Sequence, residues 1–82
     1  MKKTLNINIA GQLFRIDEES YQILARYMEH LSKKFRKEPG GEETIADIET
    51  RIAELFGGGS EQPRLVSREM VDEMIQTMGA PE

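Results

Sequence analysis

The sequence predicts an α+β fold, a small antiparallel β-hairpin with three amphipathic helices packed on one of its faces, in the order ββαα(β)α. Three observations lead there. Residues 4–17, TLNINIAGQLFRID, alternate apolar and polar side chains on either side of Ala10-Gly11, which is the period of a strand with one buried face. Three later segments repeat apolar residues at spacings of three and four, the period of a helix with one buried side. Each element is therefore apolar on one side only, and a layer of helices against a layer of sheet hides all those sides together.

With Ala10 and Gly11 as the loop, Ile7 faces Phe14 and Leu5 faces Ile16, while Asn6 faces Arg15 and Asn8 faces Leu13. One face of the hairpin then comes out almost wholly apolar. Ala-Gly is a weaker turn signal than Asn-Gly, so a bulged loop is the alternative. Asp17 is placed to cap the first helix, and Glu18 and Glu19 suit the positive end of its dipole. Tyr21, Leu24, Met28, Leu31 and Phe35 follow as a stripe about 80° wide. Pro39 and Gly40 end this helix, with Lys33, Lys34, Arg36 and Lys37 near its negative end.

The second helix lies in GGEETIADIETRIAELF, residues 40–56, with Ile45, Ile48, Ile52, Leu55 and Phe56 on one side. Glu43, Asp47, Arg51 and Glu54 occupy the other, and Asp47 and Arg51, four apart, are spaced to pair. The tract GGGSEQP at 57–63 reads as a loop, and RLV at 64–66 is a candidate third strand that the sequence leaves open. Ser67 caps the last helix, in which Met70, Val71, Met74, Ile75 and Met78 face inward before Gly79 and Pro81.

A chain of 82 residues holds one domain, residues 1–82, because two smaller ones would bury too little surface each. Its 38 % hydrophobic and 32 % charged residues are a globular balance. Without cysteine there is no disulfide or thiolate chemistry, so packing alone must hold the core. A net charge of −4 argues against nucleic acid and anionic membrane surfaces, both of which are bound through excess Lys and Arg. No window approaches the ~20 apolar residues of a membrane span.

Each feature with chemical potential has a plainer reading. The acids of residues 42–54 diverge around a helix, with neither the alternating oxygens of a calcium loop nor two carboxylates converging on a cleft. Glu49 differs from the others, lying only about 70° from the centre of the apolar stripe, where a neighbour can reach it. His30 is a single imidazole on the outer side of its helix, with no second ligand for zinc and no orienting partner for base catalysis. GGGS at 57–60 follows a helix instead of opening one, against a phosphate-binding loop. KKFRK at 33–37 reads first as dipole compensation and second as an electrostatic patch. The five methionines are mostly core filler at helical spacing, and a Met-rich binding groove is the alternative that their exposure would support. No catalytic, cofactor-binding or metal site is expected. Leu13 on the hairpin's polar face, and Ile23 and Tyr27 at the flank of the first helix's stripe, are the candidate protein contacts, together with a free strand edge. An extra place in the core is the competing reading for each of the three side chains.

The start MKKTLNINIAGQLFRIDEESY, the segment GGEETIADIETRIAELF and the ending REMVDEMIQTMGAPE together resemble the amino-terminal cytoplasmic region that precedes the PspC (phage shock protein C) membrane domain in proteins typical of Bacteroidetes. The most specific part is Ile45-Ala46-Asp47-Ile48-Glu49 followed by Arg51-Ile52-Ala53-Glu54-Leu55-Phe56. The resemblance covers nearly all of the chain and implies a non-enzymatic regulatory or protein-interaction module at the cytoplasmic side of the inner membrane, linked to envelope-stress signalling. It transfers no catalytic residue. The chain departs from the family in lacking a membrane domain, so it is expected to be the amino-terminal part of a longer protein, and in its glycine-rich loop. Its implied partner is another protein or a second copy of itself. The rival reading, a DNA-binding regulator, requires a tight turn between the second and third helices and a basic last helix.

Overall fold

Strand alternation produces the hairpin. β1 (Thr4–Ile9) and β2 (Gln12–Asp17) pair antiparallel, with Ile7 opposite Phe14, Leu5 opposite Ile16 and Asn8 opposite Leu13. The loop is Ala10 and Gly11 alone, with φ of 52° and 82°, the double positive φ whose twist matches that of the flanking strands. Asn8 Oδ1 accepts a 2.9 Å hydrogen bond from the Gly11 N–H, and no bulge interrupts the register. The structure, a computed structural model, describes residues 3–57 and 64–79. Of the loop expected at 57–63, residues 58–63 lie outside the described residues.

Asp17 ends β2 and starts α1 (Glu18–Phe35), its carboxylate accepting from the Ser20 N–H at 3.0 Å and the Ser20 hydroxyl at 2.7 Å. The buried row of α1 is Ser20, Leu24, Tyr27 and Leu31. That row is turned by about 50° from the stripe read off the apolar residues, at 100° per residue. The cause is Ser20, a polar residue that the capping carboxylate satisfies and so allows into the interior. Tyr27, expected at the flank, is 5 % exposed, whereas Tyr21, expected in the stripe, is 37 % exposed. The Tyr27 hydroxyl donates a 2.7 Å hydrogen bond to the Gly79 carbonyl just past α3.

A five-residue corner leads to α2 (Gly41–Leu55), whose buried residues continue with Phe56 beyond its last turn. β3 (Arg64–Val66) then joins the sheet, and Ser67 caps α3 (Arg68–Met78) by accepting from the Met70 N–H at 3.2 Å. The strand order is β1-β2-β3, and β3 runs parallel to β2 with Ile16 opposite Val66. The sheet is thus mixed, because the chain returns to it through a two-helix crossover and arrives in the direction of β2.

Phe14, Ile16, Ile52, Phe56, Val66, Val71 and Met74 are fully buried in one apolar cluster. Phe14 and Phe56 meet edge to face with ring centroids 5.9 Å apart, joining the hairpin to the end of α2. Leu5, Ile7 and Ile9 of β1 pack against the margin of the cluster and are only half-buried. Asn6, Asn8, Leu13, Arg15 and Leu65 are exposed on the opposite sheet face.

On the surface, Arg51 pairs with Glu54 at 3.3 Å and not with Asp47; glutamate's extra methylene gives it the longer reach on an exposed helix. Lys33 pairs with Glu29 at 3.2 Å, Lys34 lies 5.5 Å from the centre of the Phe35 ring, and Arg36 donates to the Ser32 hydroxyl. The basic run is thus engaged largely with its own helix. Residues 56–67, which include β3, separate α2 from α3, so these helices are not joined by the tight turn of a helix-turn-helix.

Candidate functional groove

The 50° turn of α1 leaves part of its apolar surface without a covering element. Tyr21, Leu24, Ala25 and Met28 recur at the spacing of one helix face, and with Ile7 and Ile9 of β1 and Ile52 of α2 they line a groove of about 520 Å³. That volume is within the range of sites that accept small molecules or the side chains of a partner. Five of the nine lining residues are large and aliphatic and Ala25 is small; the polar ones are Asn8 and Glu49, with Tyr21 contributing a phenol. A smaller hollow of about 80 Å³ lies between Leu55, Met70, Met74, Glu73 and Thr77.

Glu49 is the charged group of the groove. It is half-buried, and no hydrogen bond or ion pair joins it to another described residue. The surrounding helix is strongly acidic, with Glu42, Glu43, Asp47, Glu49 and Glu54 against Arg51 alone. A cation arriving here meets a carboxylate that has no competing partner among the described residues and is partly withdrawn from water, where its attraction is less screened.

The β1 edge borders the groove. In a hairpin with a two-residue loop, the loop-flanking pair is a hydrogen-bonded one and such pairs alternate. Ile9, Ile7 and Leu5 therefore spend their main-chain groups on β2, in phase with the Glu18 N–H donating to the Lys3 carbonyl at 2.8 Å. Thr4, Asn6 and Asn8 direct theirs away from the sheet. The Asn8 side chain stands on the opposite face from Ile7 and Ile9 and is turned back to Gly11, so its main chain is the part that borders the groove. Gln12, the register partner of Ile9, has a buried Oε1 with no hydrogen-bond partner among the described residues.

Of the side chains singled out as protein contacts, Leu13 is 58 % exposed on the outer sheet face, and Leu65, which the sequence did not single out, is 67 % exposed on the same face. Ile23 is half-buried against the core, and Tyr27 is interior. Tyr27 is therefore corrected to a core residue, drawn in by the Gly79 carbonyl that satisfies its hydroxyl. The structure does not bring these three together. Tyr21 and Met28 were read as core, although Tyr21's phenol already marked it as suited to a half-wet position. Glu49's place near the stripe was visible in its helical angle; its isolation from a partner was not.

Among the described residues, the groove is lined by no histidine, cysteine, serine or threonine, the residues that most often supply a nucleophile or a base. His30 is exposed on α1. Among the described residues, no group of three His, Cys, Asp or Glu side chains is arranged to hold a metal ion, and no helix is long and apolar enough to cross a membrane. No protein-family model, curated protein or solved structure matches the chain.

Proposed function

We propose that the chain is a non-enzymatic regulatory module that works by binding an extended polypeptide segment in the groove and along the adjoining edge of β1. The observation that supports this most directly is the continuity of three complementary features: an apolar floor, a carboxylate unpaired among the described residues, and a strand edge with its main-chain groups turned outward. Together they match the needs of a strand that pairs through its backbone and buries alternate side chains. On its resemblance to the region ahead of PspC domains, we place the module at the cytoplasmic side of the inner membrane in a longer envelope-stress regulator.

Selection from a phage-displayed library of random peptides tests the binding reading. Peptides with alternating apolar residues should be enriched on the wild type, and each should lose about tenfold or more in affinity on Tyr21→Ala or Met28→Glu, a loss typical of a contact at the centre of an interface. Failure to enrich any peptide, or equal binding to both variants, would refute it. The membrane context is tested by the sequence of the transcript: a stretch of about 20 apolar residues encoded within a few dozen codons after Glu82 supports it, and a stop codon directly after Glu82 overturns it.

A further inference from the structure

Exposed sheet edges are usually blunted by charge, proline, bulges or shortness, because an unblunted edge pairs with whatever strand it meets. The β3 edge is three residues long and begins with Arg64. β1 has none of these defences: its six residues, TLNINI, contain no charge and no proline, and the register runs unbroken from Thr4 to Ile9. Its outward-directed main-chain groups belong to Thr4, Asn6 and Asn8, which form a symmetric set about Asn6.

We infer that the segment received by this edge is β1 of a second copy, giving a two-fold dimer with one sheet continuous across both chains. This rests on the groove and edge being the binding surface. An antiparallel pairing with Asn6 opposite Asn6 sets Thr4 opposite Asn8 on either side, and each of these pairs exchanges two main-chain hydrogen bonds. All outward-directed groups of the strand are then used. A two-fold axis requires such a self-complementary patch.

The same register supplies the missing cation. Ile9 comes to stand opposite Lys3 of the second copy, and Ile7 opposite its Leu5. Because side chains alternate along a strand, Lys3 shares the inner face of β1 with Leu5, Ile7 and Ile9. One strand spacing beyond Ile9, about 5 Å, the incoming Lys3 lies at the mouth of the groove that Ile9 and Glu49 line. Lys3 of each chain thus meets Glu49 of the other, twice per dimer, while Leu5 and Ile7 of the second copy extend the apolar floor. Another strand of apolar and polar alternation would satisfy the backbone; the placement of Lys3 against an unpaired carboxylate favours this one.

Sedimentation equilibrium and light scattering over a concentration series read the outcome directly. The wild type should rise from 9.4 kDa toward twice that mass. Asn6→Pro removes an N–H that the hairpin ladder does not use, so it should stay folded by circular dichroism and weaken association by at least about tenfold. Lys3→Glu and Glu49→Lys should each weaken it by about three- to tenfold, and the double exchange should return it to within about twofold of wild type, as opposite charges restored at one contact require. Simple damage to the fold would not be repaired by the second substitution. A wild type that remains at 9.4 kDa up to about millimolar concentration, an Asn6→Pro chain that associates as tightly as wild type, or a double exchange that restores nothing would overturn the inference. If library peptides bind the groove while the wild type stays monomeric, the edge serves a foreign strand: the dimer falls and the binding function stands.

Discussion

Tyr27 shows how one atom can move a residue from the flank of a helix into the interior. A buried phenol costs stability unless its hydroxyl is paired, and the 2.7 Å bond to the Gly79 carbonyl meets that need. The bond also ties α1 to the residue that ends α3. Burial raises the pKa of Tyr27 above its ordinary value of 10.0. Since the folded-state pKa is the higher one, the stabilising contribution is fully present below pH 10 and is lost as pH rises through the folded-state value. Tyr27→Phe should cost about 1 kcal/mol at pH 7, and its stability should decline less than the wild type's above pH 10. Urea melts of both proteins at pH 7 and between pH 9 and 11 make the comparison; parallel declines would show that the Tyr27 proton is not linked to folding. Apolar spacing could not reveal this position, because the bond spans 52 positions in the chain and its acceptor is a backbone carbonyl. Ser20 was hidden for the same kind of reason: its burial depends on the Asp17 carboxylate, which hydrophobicity does not register.

At the scale of elements, the corner between α1 and α2 uses two adjacent glycines for two different physical reasons. Gly40 has a φ of 73° with open space where a Cβ would stand, whereas a Cβ on Gly41 would lie 1.6 Å from the Phe35 carbonyl oxygen. The first is a matter of backbone conformation, the second of two backbones in close approach. Gly40→Ala should therefore cost about 1–2 kcal/mol. Gly41→Ala should cost about 3 kcal/mol or more, at the upper end for a single substitution, because α2 must move away from the end of α1. Thermal melts of the two variants separate the causes, and equal losses would contradict the close approach. The sequence marked this corner only as a helix stop. Elements with strict local periodicity were legible in full: the hairpin register follows from alternation around Ala10-Gly11, and the Asp17 and Ser67 caps follow from residue type and position. β3 was legible only as a candidate, and its parallel direction was not, since three residues carry no signal about the strand they join. The groove escaped for a related reason. Sequence spacing shows that α1 has an apolar stripe but not how much of it the neighbouring elements cover, and the uncovered margin at Tyr21, Ala25 and Met28 is the candidate site.

For the molecule as a whole, stability depends on an interior that every element enters and that no disulfide reinforces. Phe56 occupies a pivotal place there. It lies just beyond α2, is 1 % exposed and meets Phe14 of the central strand edge to face at 77°. Removing its ring opens a void where the hairpin meets the end of α2. Phe56→Ala should cost about 3–5 kcal/mol, a large part of the roughly 5–10 kcal/mol available to a domain of this size. The manner of unfolding matters as much as the amount. If α3 belongs to the same cooperative unit through Val71, Met74 and the Tyr27 bond, then in a chain carrying Tyr21→Phe, whose remaining tyrosine is Tyr27 at the junction of α1 and α3, tyrosine fluorescence and far-ultraviolet circular dichroism, which follows all helices, should give coincident denaturation curves. Phe56→Ala in that background should shift both midpoints equally and leave the slope with denaturant unchanged. A fluorescence midpoint that stays in place while the circular dichroism midpoint falls would mean that α3 and α1 form a unit separable from the hairpin and α2, and that the apolar cluster is two cores in contact and not one.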